Sequence, residues 1–404
     1  MNRKAIISCM IMLCCACFVL INKSNKDDNK YKKSLHEVKV QWDKDIDEAN
    51  KGKYSNLNFH EINYNMNNIE SLYRLRIIYN TEWRDKKYDD IINELLKIVD
   101  VFFGGSIESK DILVHPNYEE YSDENIYEYS VDEFREAVNN HEYEGDGYLF
   151  LFCNKWERGG KGMIQVCSDY SNIWMAKGKI NGIMPYYDAI DSYNLVTGEG
   201  NENDTFKLLD KEVTIKEMVE FVTDYLDNHI PVQYNREFKY RVVEARTMDA
   251  EGIPAIGMNI RREYEGVPFD YINPSTINEF NSDYDNERGW IVVADSQEIE
   301  NLSGLGGMRD TVEKIEGEYD EIIPLSSALE ELSNSIGDNS IYDVYGIEVV
   351  YQFQIKESDK NSEEKISEGI PKWKIITVNE NDDKYTWFYV DMKTGEISHR
   401  YKER

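Results

Sequence analysis

The body of this chain is nearly without cysteine. Six are present in 404 residues, but Cys9, Cys14, Cys15 and Cys17 crowd the first 17 positions and leave only Cys153 and Cys167 beyond them. Two thiols make no disulfide framework and offer no zinc spacing. Histidine is equally scarce, with six residues: His36, His60, His115, His141, His229 and His399. No two stand four apart and no His-Glu-x-x-His occurs, so a zinc hydrolase has no support. No G-x-S-x-G nucleophile elbow is present. Positive charge is outnumbered, 46 Lys and Arg against 77 Asp and Glu, for a net charge of −31. A surface this acidic repels phosphate backbones, which excludes nucleic acid as a partner, and it also repels anionic lipid and wall polymers. The acids form no long single-sign run and read as a solvated surface that resists aggregation.

Other chemistry-like patterns fail on inspection. Ser303-Gly304-Leu305-Gly306-Gly307-Met308 lacks the Lys-Ser/Thr of a phosphate loop and reads as a flexible loop. Asp283-x-Asp285-x-Glu287-x-Gly289 resembles the front of a calcium loop, but Ala294 stands where the bidentate acid belongs. With so many acids, no carboxylate pair can be singled out. No cofactor, metal or catalytic residue is expected.

What the chain does have is an unbroken oily start. Asn2, Arg3 and Lys4 precede Ala5–Ile21, in which Ser8 is the single plain polar residue, and Asn22 and Lys23 end it. A positive head and an apolar run are the layout of an export signal or short membrane anchor, assigned to residues 1–22. Leu13-Cys14-Cys15-Ala16-Cys17 resembles a bacterial lipoprotein box, with Cys17 as the candidate lipidation site. Cys14 stands where that box carries leucine, and Phe18–Ile21 is apolar, so an uncleaved helix is the alternative. Either anchor puts the body at the extracytoplasmic face of the cell membrane. Residues 23–70, opening with the polar SNKDDNKYKK, read as a flexible tether.

The chain as a whole is 41% apolar, and the remainder is long enough for two or three domains. Helices are expected over 88–103, ending at Gly104-Gly105; over 130–138, opened by the capping box Ser130–Glu133; over 214–229, opened by Thr214–Glu217; and over 324–336, closed by Gly337. Strand-like runs follow each of the last three: 148–153 and 163–167; 238–246 and 255–264; 344–356, 373–378 and 385–391. The fold class is therefore α+β, built of repeated helix-plus-antiparallel-sheet units, with domains expected at 71–205, 206–310 and 311–404. Cys153 and Cys167 flank Gly159-Gly160. A loop centred on Gly160 would set them opposite one another as a candidate disulfide, while a two-residue turn would put them one step out of register. Tyr264, Phe269 and Tyr271 surround a Gly-Val-Pro turn and, with Trp373 and Trp387, form a candidate binding surface.

The last 80 or so residues carry a resemblance. Ile370-Pro371-Lys372-Trp373 opens a strand, and Phe388-Tyr389-Val390-Asp391-Met392-Lys393-Thr394-Gly395-Glu396-Ile397 closes the chain's last hairpin. This resembles the PepSY-like domains of exported Gram-positive proteins, including the YycI and YycH type, with their P-x-W strand and Y-V-D-x-x-T-G-E hairpin. Residues 71–320, notably VTIKEMVEFVTDYLDNHIP and RREYEGVPFDY, are similar to uncharacterised clostridial lipoproteins. The resemblance implies a regulatory or binding module and carries over no catalytic residue. The expected function is a non-catalytic, membrane-anchored binding or regulatory protein of the cell envelope, with an envelope or membrane protein as its partner. The alternative is an envelope hydrolase with an unrecognised carboxylate site.

Overall fold

A computed structural model describes residues 32–62, 64, 66–78, 86–103, 112–116, 129–140, 149–153, 163–167, 173–176, 189–195, 200–208, 211–229, 239–250, 253–270, 288–293, 299–303, 311–337, 340–355, 366–379 and 385–402. The architecture is α+β: five α-helices among the described residues pack on antiparallel ladders. The four expected helices form at Tyr88–Phe103, Val131–Asn139, Ile215–His229 and Leu325–Ile336. Both predicted capping boxes close. Ser130 Oγ accepts from Glu133 N at 3.2 Å and Thr214 Oγ1 from Glu217 N at 3.1 Å, while each glutamate accepts the cap's own N–H at 2.9 and 2.8 Å. Gly337 takes φ 72° at the end of the fourth helix, a conformation that costs glycine little.

The fifth helix, Leu35–Asn50, overturns the tether expected at 23–70 over its described part. It opens with a third capping box, Ser34–Glu37, and buries Val38, Trp42, Ile46 and Ala49. The charged residues between them hide a four-residue periodicity: one narrow stripe of four apolar side chains is enough to seat a helix when a sheet covers it. The positions 1–31, with the signal or anchor and Cys17, lie outside the described residues. No described helix is long and apolar enough to cross a membrane.

Two hydrophobic cores divide the chain differently from the three expected domains. One gathers the helices Tyr88–Phe103, Val131–Asn139 and Ile215–His229 over strands between Ile112 and Ser303. The expected boundary at 205/206 runs through it, because the Ala189–Asn194 strand pairs antiparallel with Lys239–Ala250. The other core joins the helices Leu35–Asn50 and Leu325–Ile336 to a sheet centred on the hairpin Tyr342–Ile355/Ile366–Asn379, and the N-terminal strands Leu57–Phe59 and Arg74–Ile78 complete that sheet. Sequence-distant ends of the chain therefore build one unit.

A short strand, Val267–Asp270, stitches the two together. It pairs antiparallel with Ile253–Tyr264 of the first unit and parallel with Tyr342–Ile355 of the second. The turn before it is Glu265-Gly266, not the predicted Gly-Val-Pro, and Gly266 at φ 82° lies so close to Asn68 that a Cβ there would stand 2.0 Å from its carbonyl oxygen. Alternation along the long hairpin then sorts its faces. Ile347, Val349, Tyr351, Phe353, Trp373 and Ile375 meet the helices. Glu348, Gln352, Lys372 and Lys374 occupy the other face and are buried too.

The cysteine hairpin has a register neither prediction anticipated. Phe150 stands opposite Cys167 and Phe152 opposite Gln165. Cys153 is thus three positions from the partner of Cys167, about 10 Å along the strand, beyond the Cα separation a disulfide spans. The candidate disulfide is not supported by this pairing.

Candidate functional site

Where the stitching strand meets the long hairpin, four opposite charges and a tyrosine are buried together. Register assembles them. Glu348 is the ladder partner of Lys374, and Lys374 the partner of Tyr389, so the three stand in one row across the sheet. Arg261 and Asp270 come from the other unit and its connecting strand. The Arg261 guanidinium donates to Glu348, with Nη2 3.1 Å from Oε2 and Nη1 3.3 Å from Oε1. Lys374 Nζ donates to Asp270 Oδ1 at 2.9 Å and lies 3.2 Å from Glu348 Oε1. Tyr389 donates its hydroxyl to Asp270 Oδ2 at 2.5 Å, and Arg261 Nη1 stands 3.8 Å from Asp270 Oδ1. The side chains of the four charged groups are 7% exposed or less.

Two cations face two anions, so the cluster is neutral as a whole, the condition under which buried charge is tolerated. Burial pushes the Asp270 carboxyl up, but Lys374 and Arg261 outweigh it and hold the group below the ordinary carboxylate range. Glu348 behaves likewise: burial raises it and Arg261 and Lys374 bring it down further. The Tyr389 hydroxyl is pushed well above its usual value by burial and by Asp270. Neither carboxylate holds a proton to donate near neutrality, and both are poor bases.

The quartet forms the floor of a cavity of about 200 Å³ between the units. Trp387, half-buried, covers Lys374, with Nζ 4.1 Å from its ring centre, a cation–π contact. The rim is Glu244, Arg246 and Asn259: Arg246 Nη2 lies 2.7 Å from Glu244 Oε1, and Asn259 Nδ2 donates to Glu244 Oε2 at 2.5 Å. Val243, Ile260 and Ile376 supply apolar wall. A wider trough of about 860 Å³ runs between the Ile215–His229 helix and the 263–266 turn, where burial pushes the Glu263 carboxyl up. Among the described residues no group of three or more His, Cys, Asp or Glu is arranged to hold a metal ion.

The predicted binding surface separates into different environments. Phe269 and Trp373 are fully buried, which corrects their assignment to a surface. Phe269 packs edge-on against Tyr351 and Phe353, and Trp373 stacks on Trp42 at 5.9 Å while its Nε1 donates to the Ile323 carbonyl. Tyr264 is half-buried with its ring edge on Tyr73, and Tyr271 lies outside the described residues. Of the four described aromatics, only Trp387 lines the cavity.

Sequence reasoning missed Arg261, Asp270, Glu348 and Lys374 as a group. The available signal was charge inside apolar strands: Glu348 alone in GIEVVYQF, and Lys374 with Lys372 in PKWKIITV. Such charges are rarely buried unpaired, so each announces a partner on a neighbouring strand.

The fold is that of an α+β protein whose two units meet along this seam. No family model matches the chain, and no curated protein matches it. Six solved chains do match, among them the Bacillus megaterium YpeB C-terminal domain. That domain superimposes with a TM-score of 0.31 at 8% identity, over 79% of this chain and 99% of its own.

Proposed function

We propose that this chain is a non-catalytic binding or regulatory protein of the extracytoplasmic face of the cell membrane, held there by residues 1–22. The observation that carries the reading is the seam cavity. Its two buried carboxylates are held ionised and are each neutralised by a fixed cation, which suits recognition and leaves neither of them poised for proton transfer. The oily, positively headed start supports export, and the acidic surface supports a body standing off an anionic membrane. Crosslinking of the full chain in intact cells is expected to return a reproducible envelope or membrane protein, and external protease is expected to digest the body. Loss of both results overturns the reading.

An envelope hydrolase is the second reading. Its support is Glu263, a half-buried carboxyl pushed up in the wider trough beside Lys239 and Arg241. Turnover of a wall polymer or peptide that disappears in Glu263→Gln would establish it and displace the first reading.

A further inference from the structure

We infer that the seam cavity binds a small zwitterion of amino-acid size, an inference that rests on the chain being a binding protein. Size is the first constraint. A cavity of about 200 Å³ has room for a small molecule of amino-acid size and is too small to enclose a folded partner.

Charge is the second. The lining carries three cations, Arg246, Arg261 and Lys374, against three anions, Glu244, Asp270 and Glu348. Every one already has an opposite partner on the wall. A ligand of single sign would leave one unbalanced charge in a water-poor seam, which is costly. A ligand carrying both signs keeps the sum at zero. Its carboxylate meets guanidinium groups and its ammonium meets carboxylates, without displacing the balance already built.

Arg261 is the third. Its Nε has no hydrogen-bond partner although the side chain is 7% exposed. Its bonds to Glu348 run 3.1 to 3.4 Å, longer than the ~2.7–2.9 Å of tight charge-assisted pairs. Nε itself is closed to solvent, so the capacity left for a carboxylate lies in the stretched Nη1 and Nη2 donors. The exposure gradient supplies a way in. Floor side chains are 7% exposed or less, whereas Glu244 and Arg246 at the rim are 23% and 41% exposed. Ile260, Ile376 and Trp387 give a ligand side chain an apolar place to rest.

The test is a thermal-shift and calorimetric screen of the full chain against single amino acids, with acetate, methylamine and glucose as one-sided or neutral probes. At least one amino acid should raise the melting temperature by about 3 °C at hundredfold excess over its Kd, with acetate, methylamine and glucose inert. Arg246→Gln and Glu244→Gln should each weaken binding at least tenfold. Neither should much change the ligand-free melting temperature, because half-exposed pairs contribute little stability. No response to any amino acid, an equal response to acetate or glucose, or binding untouched by both rim variants overturns the inference. Envelope crosslinking that succeeds while the screen fails removes this ligand and leaves the binding role standing; wall-polymer turnover lost in Glu263→Gln removes the role itself.

Discussion

Removing the ammonium of Lys374 tests the seam most directly. Lys374 Nζ contacts Asp270 at 2.9 Å and Glu348 at 3.2 Å, and its side chain is 4% exposed. Lys374→Met keeps the length of the chain but leaves two buried carboxylates sharing Arg261. Stranding one buried charge in this way costs about 3–5 kcal/mol. Replacing the ladder partners together, Lys374→Met with Glu348→Met, leaves Arg261 and Asp270 3.8 Å apart as a balanced pair. That double variant should lie within about 2 kcal/mol of the parent, because a buried pair exchanged for apolar groups of similar volume is close to neutral. Glu348→Met alone strands a buried cation at a similar cost of about 3–5 kcal/mol, so the coupling energy between the two positions is at least about 4 kcal/mol, well above the ~0.5 kcal/mol scatter of independent sites. Urea unfolding at neutral pH, followed by tryptophan fluorescence, measures all three; Trp387 sits on the lysine and reports locally. A single variant costing under about 1 kcal/mol, or a double variant as unstable as the two singles summed, would refute the account of the cluster as mutually neutralised charge.

Three further outcomes follow from the same geometry. Because Asp270 and Glu348 are held below their unfolded values, their contribution is present above about pH 4 and lost as pH falls through the folded values. An acid titration should therefore destabilise the parent more than Asp270→Asn, and parallel curves would remove these groups from the explanation. Trp42→Ala should cost about 3–5 kcal/mol as a buried aromatic, given its contacts with Tyr64 and Trp373, whereas a change within about 0.5 kcal/mol would return that segment to a tether. Gly266→Ala should lower the melting temperature far more than Gly52→Ala, although φ is 82° and 80° respectively. At Gly266 a Cβ meets backbone, whereas at Gly52 it meets nothing within 4 Å.

The local elements of this protein were legible in its residues. Capping boxes at Ser130 and Thr214, the glycine stop at Gly337 and the Asp391–Gly395 turn all act through contacts within a few positions. In that turn Asp391 Oδ1 accepts from Lys393 N and Thr394 N at 2.8 and 2.9 Å, and Gly395 takes φ 76°. Such bonds depend on neighbours in sequence, so spacing suffices to read them. The helix at 35–50 carried its own capping box, yet its narrow apolar stripe was outvoted by the charge around it.

Partner choice was decided only in three dimensions. Nothing near Trp42 indicates that it stacks on Trp373, and nothing near Glu348 indicates that Arg261 will face it. Periodicity states that a residue has a face; it does not state what covers that face. The strand Val267–Asp270 shows the reason. Four residues that read as part of an exposed turn become the joint of two sheets, because their backbone hydrogen bonds go to strands about 5 Å away on either side. The same pairing carries Asp270 to Lys374, 104 positions away in sequence. Composition decided that the protein is acidic and local chemistry decided its helices, while the site exists only because long-range strand register brings buried charges of opposite sign together.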